Sequence, residues 1–341
     1  MGLTQSQKSL LEKAKAAGGG DLGVSLDEEA CAFLLATIVR DLSLQREFPE
    51  LPSDFPAFFS KAHPEKLRIA NLDFQPLIER LIELVPDADT YFSCLATLHK
   101  SRLKYMKILE HQPKPTMDQI GPRSLLQYGL MTPKALAGFL LWRKWIFDID
   151  NRAGQETGYL FEPIIAHAIG GFPVSARRSP VRRAKDKSKG RQIDCIRNKR
   201  AYEIKLRVTI AASGQGRWQE ELDFPRDCVK NGYKPILIVL DPTPNPKLEE
   251  LIAAFERQNG ETYIGESAWS HLEKAAGETM SIFLENYVRM PIQEVLSSCT
   301  DKLPNISFTM DDTNFIVVVG NERVSFGRAT VISNGEGNSE I

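Results

Sequence analysis

No uninterrupted apolar stretch of the roughly 18 residues that a membrane-crossing helix needs occurs in the 341-residue chain, so no membrane association is expected. The opening MGLTQSQKSLLEKAKAAGGG has neither an apolar centre nor a small-residue cleavage site, which argues against a secretory signal. Cysteine is scarce: Cys31, Cys94, Cys195, Cys228 and Cys299 are odd in number and include no Cys-x-x-Cys pair. That excludes a disulfide scaffold and a zinc ribbon, and it leads us to expect a reducing cytoplasm. The five histidines form no His-Glu-x-x-His and no paired spacing, so a His-ligated zinc is not expected. Gly214-Gln-Gly216 is not followed by Gly-Lys-Ser/Thr, which removes a phosphate loop and with it a nucleotide cofactor. What remains is an ordinary globular composition, 42% hydrophobic and 26% charged, long enough for one large domain or two ordinary ones.

Net charge is −1, which by itself points away from nucleic acid. The distribution points toward it. Residues 177–207 carry 13 basic and 3 acidic side chains, whereas residues 208–341 carry 11 basic and 20 acidic. A basic stripe on a neutral protein is an electrostatic footprint for a polyanion. Alone, such a stripe is equally a solvated charge run.

Residues 1–22 read as a frayed N-terminus with a Gly18-Gly19-Gly20 break. Residues 23–150 read as helical. A Ser25-x-x-Glu28 capping box opens a helix to about Leu42, periodicity returns at 73–85 and 89–111, and Thr132-Pro133 caps a helix to about Asp150. Residues 151–245 change character: a short helix over about 156–169, a strand near 172–176, a basic loop, and strands over 191–197 and 201–210. After these come a Gly-rich turn, a helix over 217–231 and the continuous apolar run Pro235–Leu240 of a strand buried on both faces. Residues 246–341 read as helices over 247–258, 267–277 and 279–298, then a small β-meander. The fold class is α/β, with the order α-β-β-β-α-β from 156 to 240.

The chemistry lies in RQIDCIRNKRAYEIKLR, residues 191–207. A hairpin closed by a turn at Arg197–Arg200 sets Asp194 opposite Glu203, Ile193 opposite Ile204 and Cys195 opposite Tyr202. Strand side chains alternate, so Glu203 and Lys205 share one face with Asp194, leaving Ile193, Cys195, Tyr202, Ile204 and Leu206 for a core face. Like charges directly opposite across a hairpin destabilise it unless a solvated surface or a bound cation offsets them. Two carboxylates about 5 Å apart at Cβ can share Mg²⁺, which takes oxygen ligands from one or two carboxylates plus water and phosphate. Lys205 beside them can hold or help deprotonate a water. Glu162 in the flanking helix can reach the same ion, with Glu156 as the second choice. The plain alternative is a solvated hairpin face with a Glu–Lys pair.

This order of elements, with Glu162, Asp194 and Glu203-Ile-Lys205 placed along it, resembles the PD-(D/E)xK nuclease superfamily and, within it, a type II restriction endonuclease. The resemblance spans about 156–240. It departs from the family at Ile193, where the family has a proline of no chemical role. It implies a PD-(D/E)xK core with metal ligands Asp194, Glu203 and Glu162, Lys205 assisting the nucleophile, and Mg²⁺-dependent hydrolysis of double-stranded DNA leaving a 5′-phosphate. A palindromic site would call for a homodimer. Arg177, Arg178, Arg182, Arg183 and Lys185 are the candidate phosphate contacts, and Arg217 and Gln219 are candidates near the scissile phosphate. Trp142 and Trp145 read as a core stripe. The alternatives are a repair or junction nuclease of the same fold, or a DNA-binding protein without catalysis. The carboxylates argue against the latter, because they repel phosphate.

Overall fold

The computed structural model describes residues 3–18, 22–208, 215–298 and 302–328, with the side chains of residues 119 and 215–217 not among those described. The chain divides into two compact units. The larger is built from the N-terminal helix, Ser25–Lys100 and Thr157–Ser297; the smaller is built mainly from Ser101–Glu156 and the C-terminal sheet.

The larger unit starts with α1 (Gln5–Lys15), where a frayed end was expected. Thr4 and Gln7 form a reciprocal capping box there, so the first turn has its free amides satisfied. The next helix, α2 (Glu28–Asp41), is capped by Asp27, whose carboxylate accepts from the Ala30 amide, and not by the Ser25 expected from the capping-box pattern. Every residue from Ala30 to Val39 is buried, so α2 is wrapped on all sides, as a helix without a polar stripe must be. Helix α3 (Phe74–Leu84) and the start of α4 (Ala88–His111) pack in the same unit, where Tyr91 and Tyr287 both donate to the half-buried Asp41 carboxylate at 2.9 and 2.5 Å. A short turn, α5 (Met117–Ile120), leads to α6 (Pro133–Ala168). Helix α6 is a single helix where the sequence reads two; Gly154, Gly158 and Pro163 do not end it.

A five-stranded sheet follows, in spatial order β1-β2-β3-β4-β5. Strands β1 (Phe172–Val174), β2 (Ile193–Arg197) and β3 (Arg200–Lys205) are antiparallel. Strand β3 stops earlier than expected, and residues 209–210 lie outside the described residues. Helix α7 (Gln215–Lys230) crosses to β4 (Lys234–Val239), parallel to β3, and α8 (Pro246–Glu256) crosses to β5 (Glu261–Ile264), parallel to β4. The short, half-buried β5 is absent from the sequence reading. Residues 235–239 of β4 are all buried, as the apolar run requires. The sheet is covered on one face by α7 and α8, which pack Phe224, Cys228, Leu251 and Phe255 against Ile196, Ala201, Leu237 and Val239. The other face meets the end of α6, where the Cys195 sulfur lies 4.0 Å from the Ala166 carbonyl. It also meets α9 (Glu266–Leu284), whose His271 stacks on Tyr263 and approaches Tyr202. Gly171 allows the close pass at α6, since a Cβ there would collide with the Cys195 sulfur. Gly277, at φ 76°, breaks α9 where the sequence reads two helices. A π turn (Glu285–Arg289) and α10 (Met290–Ser297) close the unit.

In the smaller unit β6 (Ile306–Met310), β7 (Asn314–Val319) and β8 (Glu322–Gly327) form the expected antiparallel meander. Trp142 stacks on Phe308 at 5.4 Å and Trp145 meets Phe315 edge-on at 4.4 Å, so the tryptophan pair is core, as read. Cys31, Cys94, Cys195 and Cys228 are buried and unpaired; Cys299 lies outside the described residues. Among the described residues no helix is long and apolar enough to cross a membrane.

Candidate active site

The β2–β3 hairpin has the register read from the sequence: Cys195 pairs with Tyr202, Ile196 with Ala201 and Arg197 with Arg200. Its two central turn residues, Asn198 and Lys199, sit at φ 49° and 61°, the left-handed pair that suits the twist of a tight hairpin. One step beyond the Cys195–Tyr202 pair, Asp194 comes beside Glu203. The ladder opens there, and Asp194 Oδ2 accepts from the Ile204 amide at 2.8 Å. Alternation puts Lys205 on the face of Glu203, and its Nζ donates to Glu203 Oε1 at 3.0 Å. The face is not purely polar as expected: Ala201, Leu237 and Val239 share it and are buried under α7 and α8.

Four carboxylates surround this single ammonium group. Glu162 comes from α6, Asp194 and Glu203 from the hairpin, and Glu221 from α7, with Glu221 Oε2 3.5 Å from Lys205 Nζ. Burial, then the Glu203 charge, pushes the Glu162 carboxyl up to about 7, with Lys205 pulling the other way. Burial followed by Glu203 and Glu162 holds the Asp194 carboxyl well above the ordinary range, against the Ile204 amide and Lys205. Burial would lower the Lys205 ammonium, but Glu203, Glu221 and Asp194 together raise it, so it stays protonated. The site thus holds more negative charge than one lysine neutralises, in a setting that strengthens every interaction. A divalent cation relieves that excess. The donors are all carboxylate oxygens, the ligand type of a hard cation. Among the described residues no three Asp, Glu, His or Cys side chains are gathered as a ready metal cage. Mg²⁺ does not require one: one or two carboxylates, water and phosphate oxygens satisfy it.

A cavity of about 700 Å³ opens onto this cluster, lined by Glu162 and Asp194 and, toward solvent, by Tyr159, Phe172 and Arg178. Glu156 is drawn away into a pair with Lys104 at 2.8 Å, which leaves Glu162 as the helical acid at the site. The basic loop is fastened along α7. Arg183 grips Glu220 with two hydrogen bonds, Lys185 pairs with Asp223 at 2.7 Å, and the buried Arg191 pairs with Asp227 at 2.5 Å. Arg177, Arg178 and Arg182 are exposed. Gln219 is exposed on α7 and donates to Asp223 at 3.4 Å; the Arg217 side chain lies outside those described. Glu221 is the residue that sequence reasoning missed. The hint was an acidic residue at an apolar-stripe position of the helix after β3.

Carboxylates and a lysine on the central strands of a mixed sheet, beside a cavity and a cationic loop, are groups suited chemically to hydrolysing phosphodiester bonds. Residues 59–289 match the family model for ApaLI-like restriction endonuclease. The chain is also 48% identical over 297 residues to the type II restriction enzyme ApaLI of Acetobacter pasteurianus, covering 85% of this chain and 77% of that one. No solved structure matches the chain. The chain belongs to the ApaLI-like family of type II restriction endonucleases.

Proposed function

We propose that the chain cuts double-stranded DNA with Mg²⁺ at a PD-(D/E)xK centre formed by Asp194, Glu203, Lys205 and Glu162. The observation that carries this reading is the convergence of Asp194, Glu203 and Lys205 on adjacent strands, beside the cavity that Asp194 and Glu162 line. Asp194 and Glu203 would hold the cation, with Glu162 as a further oxygen ligand. The cation's part is to lower the pKa of water and to neutralise charge on the phosphoryl oxygens. Lys205, kept cationic by its carboxylate neighbours, orients the attacking water and faces the charge that develops on phosphorus. Water oxygen bonds to phosphorus and the bond to the 3′ oxygen breaks; the water's proton passes to solvent and the 3′ oxygen gains one. The products are a 5′-phosphate and a 3′-hydroxyl. Incubation with plasmid DNA tests the reading: discrete fragments in Mg²⁺ and none in EDTA support it, while a continuous smear or intact plasmid overturns it.

Arg177, Arg178 and Arg182 are the phosphate contacts that the loop presents, with Arg217 and Gln219 at the start of α7 as further candidates. Arg183 and Lys185 serve the substrate indirectly, by holding the loop on α7. We expect the double variant Arg178→Ala/Arg182→Ala to weaken binding to every DNA sequence alike. Its log K against log salt slope should flatten by about 0.9 for each phosphate that the loop no longer neutralises. Filter binding across a salt series measures this, and an unchanged slope shows that the loop faces away from DNA.

A symmetric double-strand cut needs two centres, and each chain supplies one such constellation among the described residues. The second comes from another copy of the chain. Leu125, Leu126, Tyr128 and Leu130 lie together in sequence at 72–92% exposure, an apolar run that a monomer rarely leaves open. We assign the homodimer interface to this segment. Sedimentation equilibrium should give a dimer for the wild type and a monomer for Leu125→Glu/Leu126→Glu; a monomeric wild type or a dimeric variant overturns the assignment. The reducing cytoplasm, where buried thiols remain unpaired, is the compartment we propose.

A further inference from the structure

Helix α7 presents two rows of side chains. One row, Trp218, Phe224 and Cys228, is buried in the core under the sheet. The other, Glu220, Asp223 and Asp227, grips the basic loop. Glu221 falls three residues after Trp218 and three before Phe224, in the apolar row, where helical spacing calls for a hydrophobic residue. A carboxylate in that row is costly unless it is paired. Lys205 of β3 is a partner for it, at 3.5 Å.

Lys205 therefore stands between two carboxylates, 3.0 Å from Glu203 and 3.5 Å from Glu221. An ammonium on Glu203 Oε1 and a divalent cation on the same carboxylate compete for the same lone pairs and repel each other. For Glu203 to serve as a metal ligand, the ammonium must move off it without being left alone in a half-buried site. We infer that Glu221 is a positioning residue: it draws the Lys205 ammonium off Glu203 as Glu203 takes up the cation, and it keeps that ammonium aimed at the substrate. The inference rests on the proposed metal reading.

It predicts effects of opposite sign for the two partners. Glu221→Gln strands the ammonium on Glu203, so metal affinity falls by about tenfold, the low end for residues that act through a metal ligand. Lys205→Gln removes the competing charge, so metal is bound at least as tightly as by the wild type. Mn²⁺ binding to the full-length protein, followed by loss of the free-ion EPR signal, measures both without cleavage. The Mg²⁺ concentration for half-maximal single-turnover cleavage by Glu221→Gln should rise in parallel. In a Lys205→Gln background, Glu221→Gln should have no further effect on Mn²⁺ binding. Melting curves establish that each variant is folded, and Glu221→Asp, which keeps the charge, should recover part of the affinity. Unchanged Mn²⁺ affinity in Glu221→Gln overturns the inference. So does the same weakening with and without Lys205, which would make Glu221 a ligand in its own right. A wild-type protein that binds no Mn²⁺ removes the metal reading and the inference together.

Discussion

Asp194→Asn and Glu203→Gln are each expected to abolish cleavage in Mg²⁺, by at least roughly 10³-fold, a loss of about 4 kcal/mol of transition-state stabilisation. Specific DNA binding in Ca²⁺ should persist. The Asp194 variant is the sharper test, because its fold has reason to survive. The carboxylate is half-buried and repelled by Glu203 and Glu162, so its neutral replacement removes an electrostatic cost. The Asn side-chain oxygen can still accept from the Ile204 amide, which now donates to Asp194 Oδ2. The melting temperature should therefore hold or rise while activity disappears. A raised carboxyl pKa costs stability as the group ionises, so any gain from Asp194→Asn should grow with pH and vanish in acid. Either variant cutting near the wild-type rate would remove these residues from the active site.

Lys205→Ala is expected to fold, to bind DNA and to lose at least roughly 10²-fold in single-turnover cleavage. Single turnover isolates the chemical step from product release. A structural role predicts a different pattern. The ammonium lies between Glu203 and Glu221, and both lie near other acids, so its removal leaves uncompensated negative charge. If that were its whole function, melting temperature and DNA binding would fall with the rate, and a divalent cation would restore all three. If Lys205 acts on water and phosphate, saturating Mg²⁺ restores the stability and leaves the rate defect. A normal rate in Lys205→Ala would demote it to a structural neighbour.

The centre of the site was legible because a hairpin is a local object. Alternation in DCIRNKRAYEIK, with Asn198-Lys199 at its turn, determines which side chains share a face, and the observed pairing follows from those twelve residues alone. The apolar run in β4 was legible for the same reason: a strand with no polar alternation must be covered twice. Features that depend on distant partners were not. Glu221 stands out in the sequence only as an acid in the apolar row of α7, and its partner on β3 is not visible until the rotation of α7 against the sheet is known. The basic loop reads as free charge until Glu220, Asp223 and Asp227 are seen opposite it. Pro163 and two glycines suggest a break in α6 that the surrounding packing overrides. Strand β5 is too short and too little buried to leave a pattern, and it depends on β4 for its conformation.

The fastening of the loop to α7 has a consequence for how the enzyme travels. Of the eight basic residues between Arg177 and Arg191, Arg183, Lys185, Lys189 and Arg191 are already matched with acids of the protein itself. On the DNA-contact role proposed for this loop, passing DNA would meet about half the charge that a count of residues suggests. Because non-specific hold grows with each phosphate neutralised, the loop, on the DNA-contact role proposed for it, would grip random sequence loosely and let the protein slide and hop. An enzyme that must inspect a long duplex for one short site gains more from quick release at wrong sequences than from tight capture at all of them.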